Sequence, residues 1–239
     1  METINRAPGE AGTAVTLATG HVENVPAGNG WLSPLERSID AKLRWPKRRS
    51  DWRLGRWVAK RAVLACVSNE HMEPSDIEIL AQETGAPRAR VLAGPVTIPV
   101  SVSISHSDGV GLAAAANRAV ALGCDVERVE PRTARFVQDY FTAAERERVA
   151  RTAPVDRPMV VTLLWSAKEA ALKVLGEGMR VDTRAVSAEV PMTPPAAWEQ
   201  RAALCVRLPD ARWIPGWCWV DDGFVWTVVG DRPTTVVLA

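Results

Sequence analysis

After Asp156 the apolar residues Val160, Leu163, Leu164, Ala167, Ala171 and Val174 recur at helical spacing, and the pattern stops at Gly176. This predicts a helix of roughly five turns. Upstream, the β-branched and apolar residues Val120, Leu122, Val126 and Val129 predict a strand through Gly123-Cys124-Asp125-Val126-Glu127. Side chains alternate along a strand, so Cys124 and Val126 face the core while Asp125 and Glu127 share the opposite face. Ser33-Pro34-Leu35-Glu36 is a capping box with proline at the first helical position and opens a helix to about Arg44. Thr142-Ala143-Ala144-Glu145 is a second capping box, opening a short charged helix to about Arg151. Ile77 to Leu80, Arg90 to Leu92, Val100 to Ser105 and Val110 to Ala116 read as strands. Pro191 to Pro195 reads as a loop, and residues 1 to about 12 as a fraying end.

The pattern also repeats. Trp57, Ala59, Lys60, Ala62 and Leu64 recur at one constant offset as Trp165, Ala167, Lys168, Ala170 and Leu172. Ser107-Asp108-Gly109-Val110 and Asp221-Asp222-Gly223-Phe224 each set an Asp-Gly hairpin signal before an apolar strand. The chain therefore reads as two similar halves, 1–118 and 119–239, each a long helix followed by antiparallel strands. Of ten tryptophans, Trp213, Trp217, Trp219 and Trp226 cluster late, and most are expected to pack in the core or between the halves rather than to stack on a substrate.

Composition sets bounds. With 239 residues and 47% hydrophobic content the chain can bury a full core, as one domain or two small ones. A formal charge of +1 gives no global field favouring nucleic acid or membrane. Cys66, Cys124, Cys205 and Cys218 lie far apart with no C-x-x-C pair, so neither a zinc site nor a redox motif is expected, and the expected setting is the reduced cytoplasm. There is no basic head before an apolar run, and no stretch approaches the roughly 20 apolar residues of a membrane span.

The candidate chemistry lies on the predicted strand and the five-turn helix, where Trp165, Glu169 and Lys173 fall four residues apart on one face. Three carboxylates, Asp125, Glu127 and Glu169, with the Lys173 ammonium beside them, suit a hard cation that keeps waters and takes further ligands from substrate phosphates. Plainer readings stand beside this one. Asp125 and Glu127 fit a solvated edge face bonded to arginines, and Glu169 with Lys173 fits an exposed helix pair worth about 0.3–0.5 kcal/mol. His106, unlike His21 and His71 in expected loops, sits inside a motif, but an isolated histidine is commonly a satisfied packing residue. Between Lys42 and Arg61 nine basic residues stand against one acid, Asp51, interleaved with Trp45, Trp52 and Trp57. Helical spacing puts Arg49, Arg53, Arg56 and Lys60 on one stripe, which fits a docking face, a solvated face or a nucleic-acid surface.

Taken in order, Gly85-Ala86-Pro87, Ser103-Ile104-Ser105-His106-Ser107, G-x-D-x-E at 123–127, Tyr140-Phe141-Thr142 with Glu145, and W-S-x-K-E-A-x-x-K at 165–173 form a specific set. It resembles the 4'-phosphopantetheinyl transferases, in particular the type that activates polyketide and nonribosomal peptide synthetases, from Arg48 to Lys173 at least. The resemblance implies an α/β fold of two similar α+β halves related by a pseudo-twofold axis, with the active site in the cleft. It also implies movement of the phosphopantetheine arm of coenzyme A onto a serine of an acyl or peptidyl carrier protein, releasing 3',5'-ADP. By the same resemblance Asp125, Glu127 and Glu169 hold Mg2+, Glu127 as a ligand or through the ion's water, and Glu169 draws the proton from the attacking serine. Lys173 stabilises and protonates the departing phosphate, while Ser105, His106, Arg48 and Arg49 bind coenzyme A. Relatives often carry G-K-P where Ala86 stands here, so Arg88 or Arg90 is expected to supply the missing charge. A monomer is expected, with no nucleic-acid or membrane partner. The alternative is a non-catalytic carrier-protein or coenzyme A binding module, which would not need Glu169 and Lys173. A nucleic-acid binder is opposed by the near-neutral charge.

Overall fold

Two long helices, each laid on its own sheet, organise the chain. The computed structural model describes residues 13–68, 71–92, 99–176 and 181–239, and the fraying expected of residues 1–12 lies outside them. Helix α1 spans Pro34–Asp40 and helix α2 spans Pro46–Val67. The expected run of α1 to Arg44 stops at Asp40, where the N–H groups of Lys42 and Leu43 bond to the carbonyls three residues back, Ile39 and Asp40, in a tighter turn. Helices α3 (Ala134–Tyr140), α4 (Ala143–Arg151) and α5 (Arg157–Leu175) follow later in the chain, α5 ending at Gly176 in the left-handed region.

Strands β1 (Thr13–His21), β4 (Ser101–Ser107), β5 (Val110–Ala116) and β11 (Thr234–Leu238) form one sheet in the order β11-β1-β5-β4, with β11 parallel to β1. His21, expected in a loop, is the last residue of β1. A second sheet orders β6 (Leu122–Arg128), β10 (Phe224–Gly230), β9 (Trp213–Asp221), β8 (Ala202–Arg207) and β7 (Ser187–Glu189). Strands β2 (Ile77–Ala81) and β3 (Pro87–Val91) form a separate hairpin. The architecture is mixed α/β. Helix α2 packs on β1, β5 and β4, and α5 on β6 and β10. Both Asp-Gly signals make the hairpins they announce: Asp108 and Gly109 have φ of 46° and 78°, and Asp222 and Gly223 of 47° and 75°. Two consecutive positive φ values match the twist of the flanking strands.

One buried construction occurs twice. Glu36, in the α1 capping box, accepts from the backbone N–H groups of Ser33 and Ile79 at 2.8 and 2.9 Å, and Lys60 of α2 lies 2.6 Å away with its other bonds on the carbonyls of Trp31, Pro74 and Ile77. Glu145, in the α4 capping box, accepts from Thr142 and Ala188, each at 2.8 Å, while Lys168 of α5 sits 2.7 Å from it and from the Val186 carbonyl. Each pair ties a capping box, a long helix and a strand together. Buried charges are tolerable only when paired and fully hydrogen-bonded, as both are here. The repeat of Lys60 and Lys168 seen in the sequence thus marks core cations rather than surface ones.

The faces of the two sheets turned from the helices share a core that includes Leu17, Leu112, Ala114, Cys124, Val126, Trp219 and Trp226. There Trp219 and Trp226 stack with centroids 5.9 Å apart, and Trp198 meets Trp219 edge-on at 4.8 Å. Trp213 stays exposed. Among the described residues no helix is long and apolar enough to cross a membrane.

Candidate active site

The carboxylate end of the site is built where α5 crosses β6. Asp125 leaves β6 on the face opposite the core residues Cys124 and Val126 and is only 3% exposed. Its Oδ1 accepts from the Ser105 hydroxyl at 2.7 Å and from the Lys173 ammonium at 2.9 Å. Its Oδ2 is buried with no hydrogen-bond partner, and so is Oε1 of Glu169. Lys173 also donates to the Cys124 carbonyl at 2.8 Å. Desolvation alone would push the Lys173 pKa down, but Asp125 and Glu169 outweigh it and hold the ammonium above its ordinary value. Glu127 lies 3.3 Å from Arg132 and its pKa is pushed up to about 7, first by burial and then by the Asp125 charge. Burial and Asp125 likewise raise the Glu169 pKa. Carboxylates crowded out of water with acceptor oxygens unpaired are short of a cation.

These residues line one end of a cavity of about 790 Å³. Ser105 and His106 come from β4, Gly85 from the β2–β3 turn, Pro87 from the start of β3, and Trp45, Lys47, Arg48, Asp51, Trp52 and Arg56 from the N-cap and first half of α2. One wall is therefore basic and aromatic, and the other is acidic. Loss of hydration, with Lys173, Lys47 and Arg56 nearby, lowers the His106 pKa, so its imidazole is neutral at neutral pH.

Of the residues expected from sequence, Arg48, Ser105, His106, Asp125, Glu127, Glu169 and Lys173 all border this cavity. Arg49 does not. Its guanidinium makes a two-pronged bond to Asp40, at 2.9 and 2.7 Å, which fixes the α1–α2 turn. The supposed basic stripe divides in the same way: Lys60 is buried on Glu36, and Arg53 holds Asp40 and the carbonyls of Pro26, Ala27 and Gly28. Arg88 and Arg90 also stay out of the cavity. Their alternation on β3 points both outward, with Arg90 3.4 Å from Glu78, while Pro87 faces in. Trp165, expected to pack its helix against the sheet, packs against Phe136 and Tyr140 of α3 at 4.9 and 5.2 Å.

Of the α2 residues that line the cavity, the sequence assigns Arg48 to coenzyme A individually and Arg56 only as a member of the basic stripe. Arg56 gains the most from the structure. Its Nε is buried without a hydrogen-bond partner, and its guanidinium lies 4.8 Å over the Trp52 ring. The signal was the offset of one helical turn and more between Arg48, Trp52 and Arg56, which puts them on one face. Trp45, 74% exposed, stands at the same wall.

A divalent cation is the group this donor set fits. The free acceptors are hard carboxylate oxygens, Asp125 Oδ2 and Glu169 Oε1, with Glu127 beside them. Among the described residues no three His, Cys, Asp or Glu side chains form a cage that could hold a metal by themselves. Free carboxylate oxygens facing an open cavity suit an ion that dehydrates reluctantly and shares its shell with water and substrate oxygens.

Residues 121–214 match the family model of the 4'-phosphopantetheinyl transferase superfamily. That segment contains β6, α5 and the four residues Asp125, Glu127, Glu169 and Lys173. No curated protein matches the chain. Among solved structures, a holo-(acyl-carrier-protein) synthase from Bacillus anthracis str. Ames in complex with CoA (3',5'-ADP) aligns at TM-score 0.37 and 21% identity, over 42% of this chain and 91% of that one. A holo-[acyl-carrier-protein] synthase from Thermotoga maritima aligns at TM-score 0.38 and 20% identity, over 54% and 74%. One from Helicobacter pylori in complex with coenzyme A aligns at 0.35 and 16%, over 44% and 99%.

Proposed function

We propose that the chain is a magnesium-dependent 4'-phosphopantetheinyl transferase that moves the phosphopantetheine group of coenzyme A onto a carrier-protein serine and releases 3',5'-ADP. Acyl or peptidyl carrier domains of polyketide and nonribosomal peptide synthetases are the proposed acceptors. The observation that carries this reading is the pair of unpartnered carboxylate oxygens on Asp125 and Glu169, facing the same cavity as the cations of α2 and His106. A non-catalytic binding module would have no use for acceptors buried at this cost.

In this reading Arg48, Arg56, Lys47 and His106 hold the phosphates of coenzyme A, and Asp125, Glu127 and Glu169 hold the cation. When bound, the cation supplies neutralisation of pyrophosphate charge. The serine oxygen bonds to the phosphorus that carries the pantetheine arm. The bridging P–O bond breaks, and its electron pair leaves with 3',5'-ADP. Glu169, which borders the cavity beside Asp125 and Lys173, takes the serine proton. Lys173 stays charged and lies within the same constellation, so it compensates the negative charge growing on the leaving oxygen.

The test is intact-mass analysis of an apo carrier protein incubated with the enzyme, coenzyme A and magnesium. A gain of one phosphopantetheine unit is expected, and an unchanged mass across several carriers would refute the transferase reading.

Arg56 is the candidate to replace the lysine absent from Gly85-Ala86-Pro87, because it borders the same cavity as Gly85 and Pro87. Arg56→Ala is expected to weaken coenzyme A binding by about 1.5–3 kcal/mol, roughly 10- to 150-fold in Kd. Arg88→Ala, outside the cavity, should leave it unchanged. Calorimetric titration of both variants checks this, with dephospho-coenzyme A showing whether the 3'-phosphate is the group bound. An affinity lost in Arg88→Ala but kept in Arg56→Ala would reverse the assignment.

A further inference from the structure

We infer that Ser105 is a positioning residue for the Asp125 carboxylate, not a ligand of the nucleotide, and that it is the last of three serines tying β4 to β6 and to the segment that leads into it. The inference rests on the reading of Asp125 as a cation ligand. Strands β4 and β6 are edge strands of different sheets, yet they lie against each other, and no backbone ladder joins them among the described residues. Alternate side chains of β4 span the gap instead. Ser103 Oγ accepts from the Cys124 N–H at 3.0 Å and Ser105 Oγ donates to Asp125 Oδ1 at 2.7 Å, while Ser101 Oγ holds the segment that leads into β6, accepting from the Val120 N–H and donating to the Arg118 carbonyl, each at 3.0 Å. The two-residue period of a strand puts all three hydroxyls on one face.

Their duties differ. Ser101 and Ser103 fix backbone, whereas Ser105 fixes the functional carboxylate itself. A serine has one O–H, and that of Ser105 is committed to Asp125, so it has no proton left for a phosphate oxygen. With the Lys173 ammonium on the same Oδ1, any rotation of the carboxylate breaks two bonds at once. Oδ2 is thereby kept as the free acceptor. A partner that orients a ligating carboxylate in this way acts on cation affinity, while phosphate binding is left to Arg48, Arg56 and His106.

The test uses the whole chain and manganese as the probe, read by the loss of free-ion EPR signal, with coenzyme A affinity measured separately by calorimetry without metal. Ser105→Ala is expected to weaken manganese binding about tenfold or more, the scale for lost outer partners of a metal ligand. Coenzyme A affinity should stay within about twofold in the same range of measurement. Ser105→Thr, which keeps the hydroxyl, should restore the ion's affinity. Ser103→Ala should lower thermal stability while leaving manganese binding alone, which separates positioning from general support. Should Ser105→Ala fail to fold, Ser105→Cys, a much poorer donor, is read in its place.

Weakened coenzyme A binding with unchanged manganese binding overturns the inference and makes Ser105 a nucleotide ligand. Manganese binding by the wild type that Ser105→Ala does not alter overturns it as well, leaving the transferase reading intact. A wild type that binds no manganese removes the cation assignment and the inference together, and the carrier mass gain then decides the transferase reading independently.

Discussion

Asp125→Asn is expected to lower turnover at least about 100-fold, the scale of a lost electrostatic contact to developing charge. Asparagine keeps the shape, and its carbonyl oxygen still accepts from Ser105 and Lys173 in place of Oδ1. What it loses is the anionic Oδ2, the buried acceptor left without a partner. The effect should fall on catalysis and cation binding, with some loss of stability beside it, because the Lys173 ammonium loses its charged partner. Single-turnover transfer to an apo carrier, followed by mass spectrometry, measures the first, and manganese titration the second. Near-UV circular dichroism matching the wild type would exclude a collapsed site. A variant retaining more than about a fifth of wild-type turnover, or wild-type activity indifferent to a chelator, would sink the cation assignment.

Much of this site was readable because its signals are local. The strand through 122–128 follows from alternation, the two capping boxes from four-residue patterns, and the Asp-Gly turns from the need for positive φ. All three are dictated by neighbours along the chain. What escaped was set by partners far away in sequence. The parallel pairing of β11 with β1 joins residues from opposite ends, and nothing local announces it. Lys60 looked like a member of a basic stripe because helical spacing locates a residue around the axis without saying what covers that face. Its burial on Glu36 was nonetheless signalled, since Lys60 and Lys168 repeat at one offset and each half also carries a capping-box glutamate. A cation and an acid duplicated together point to a pair. Arg49, Arg88 and Arg56 show the same limit from another side. Charge and proximity in sequence suited all three for phosphate, and only the direction of each side chain separates Arg56, at the cavity, from Arg49 on Asp40 and Arg88 on the outer face of β3.

The chain's demand for glycine at position 123 leads to the largest expected effect on stability. A Cβ at Gly123 would stand 1.8 Å from the Ala170 carbonyl oxygen and 2.8 Å from its carbon, both backbone atoms of α5. No rotamer change can relieve that, so the helix must leave the strand. Gly123 lies two residues before Asp125, and Ala170 follows Glu169 directly, so the close approach that excludes a side chain also sets how near the two carboxylates come. Gly123→Ala should cost more than about 4 kcal/mol, in the range reserved for severe core damage. For a chain of this size that is roughly 8–16 °C in melting temperature, or loss of soluble protein altogether. Gly28→Ala is the control, because nothing lies within 4 Å of a Cβ there, and it should melt with the wild type. Thermal unfolding of both variants settles the matter, and a Gly123→Ala protein melting within about 3 °C of the wild type would mean that α5 has room to move and that glycine is not what holds the carboxylates together.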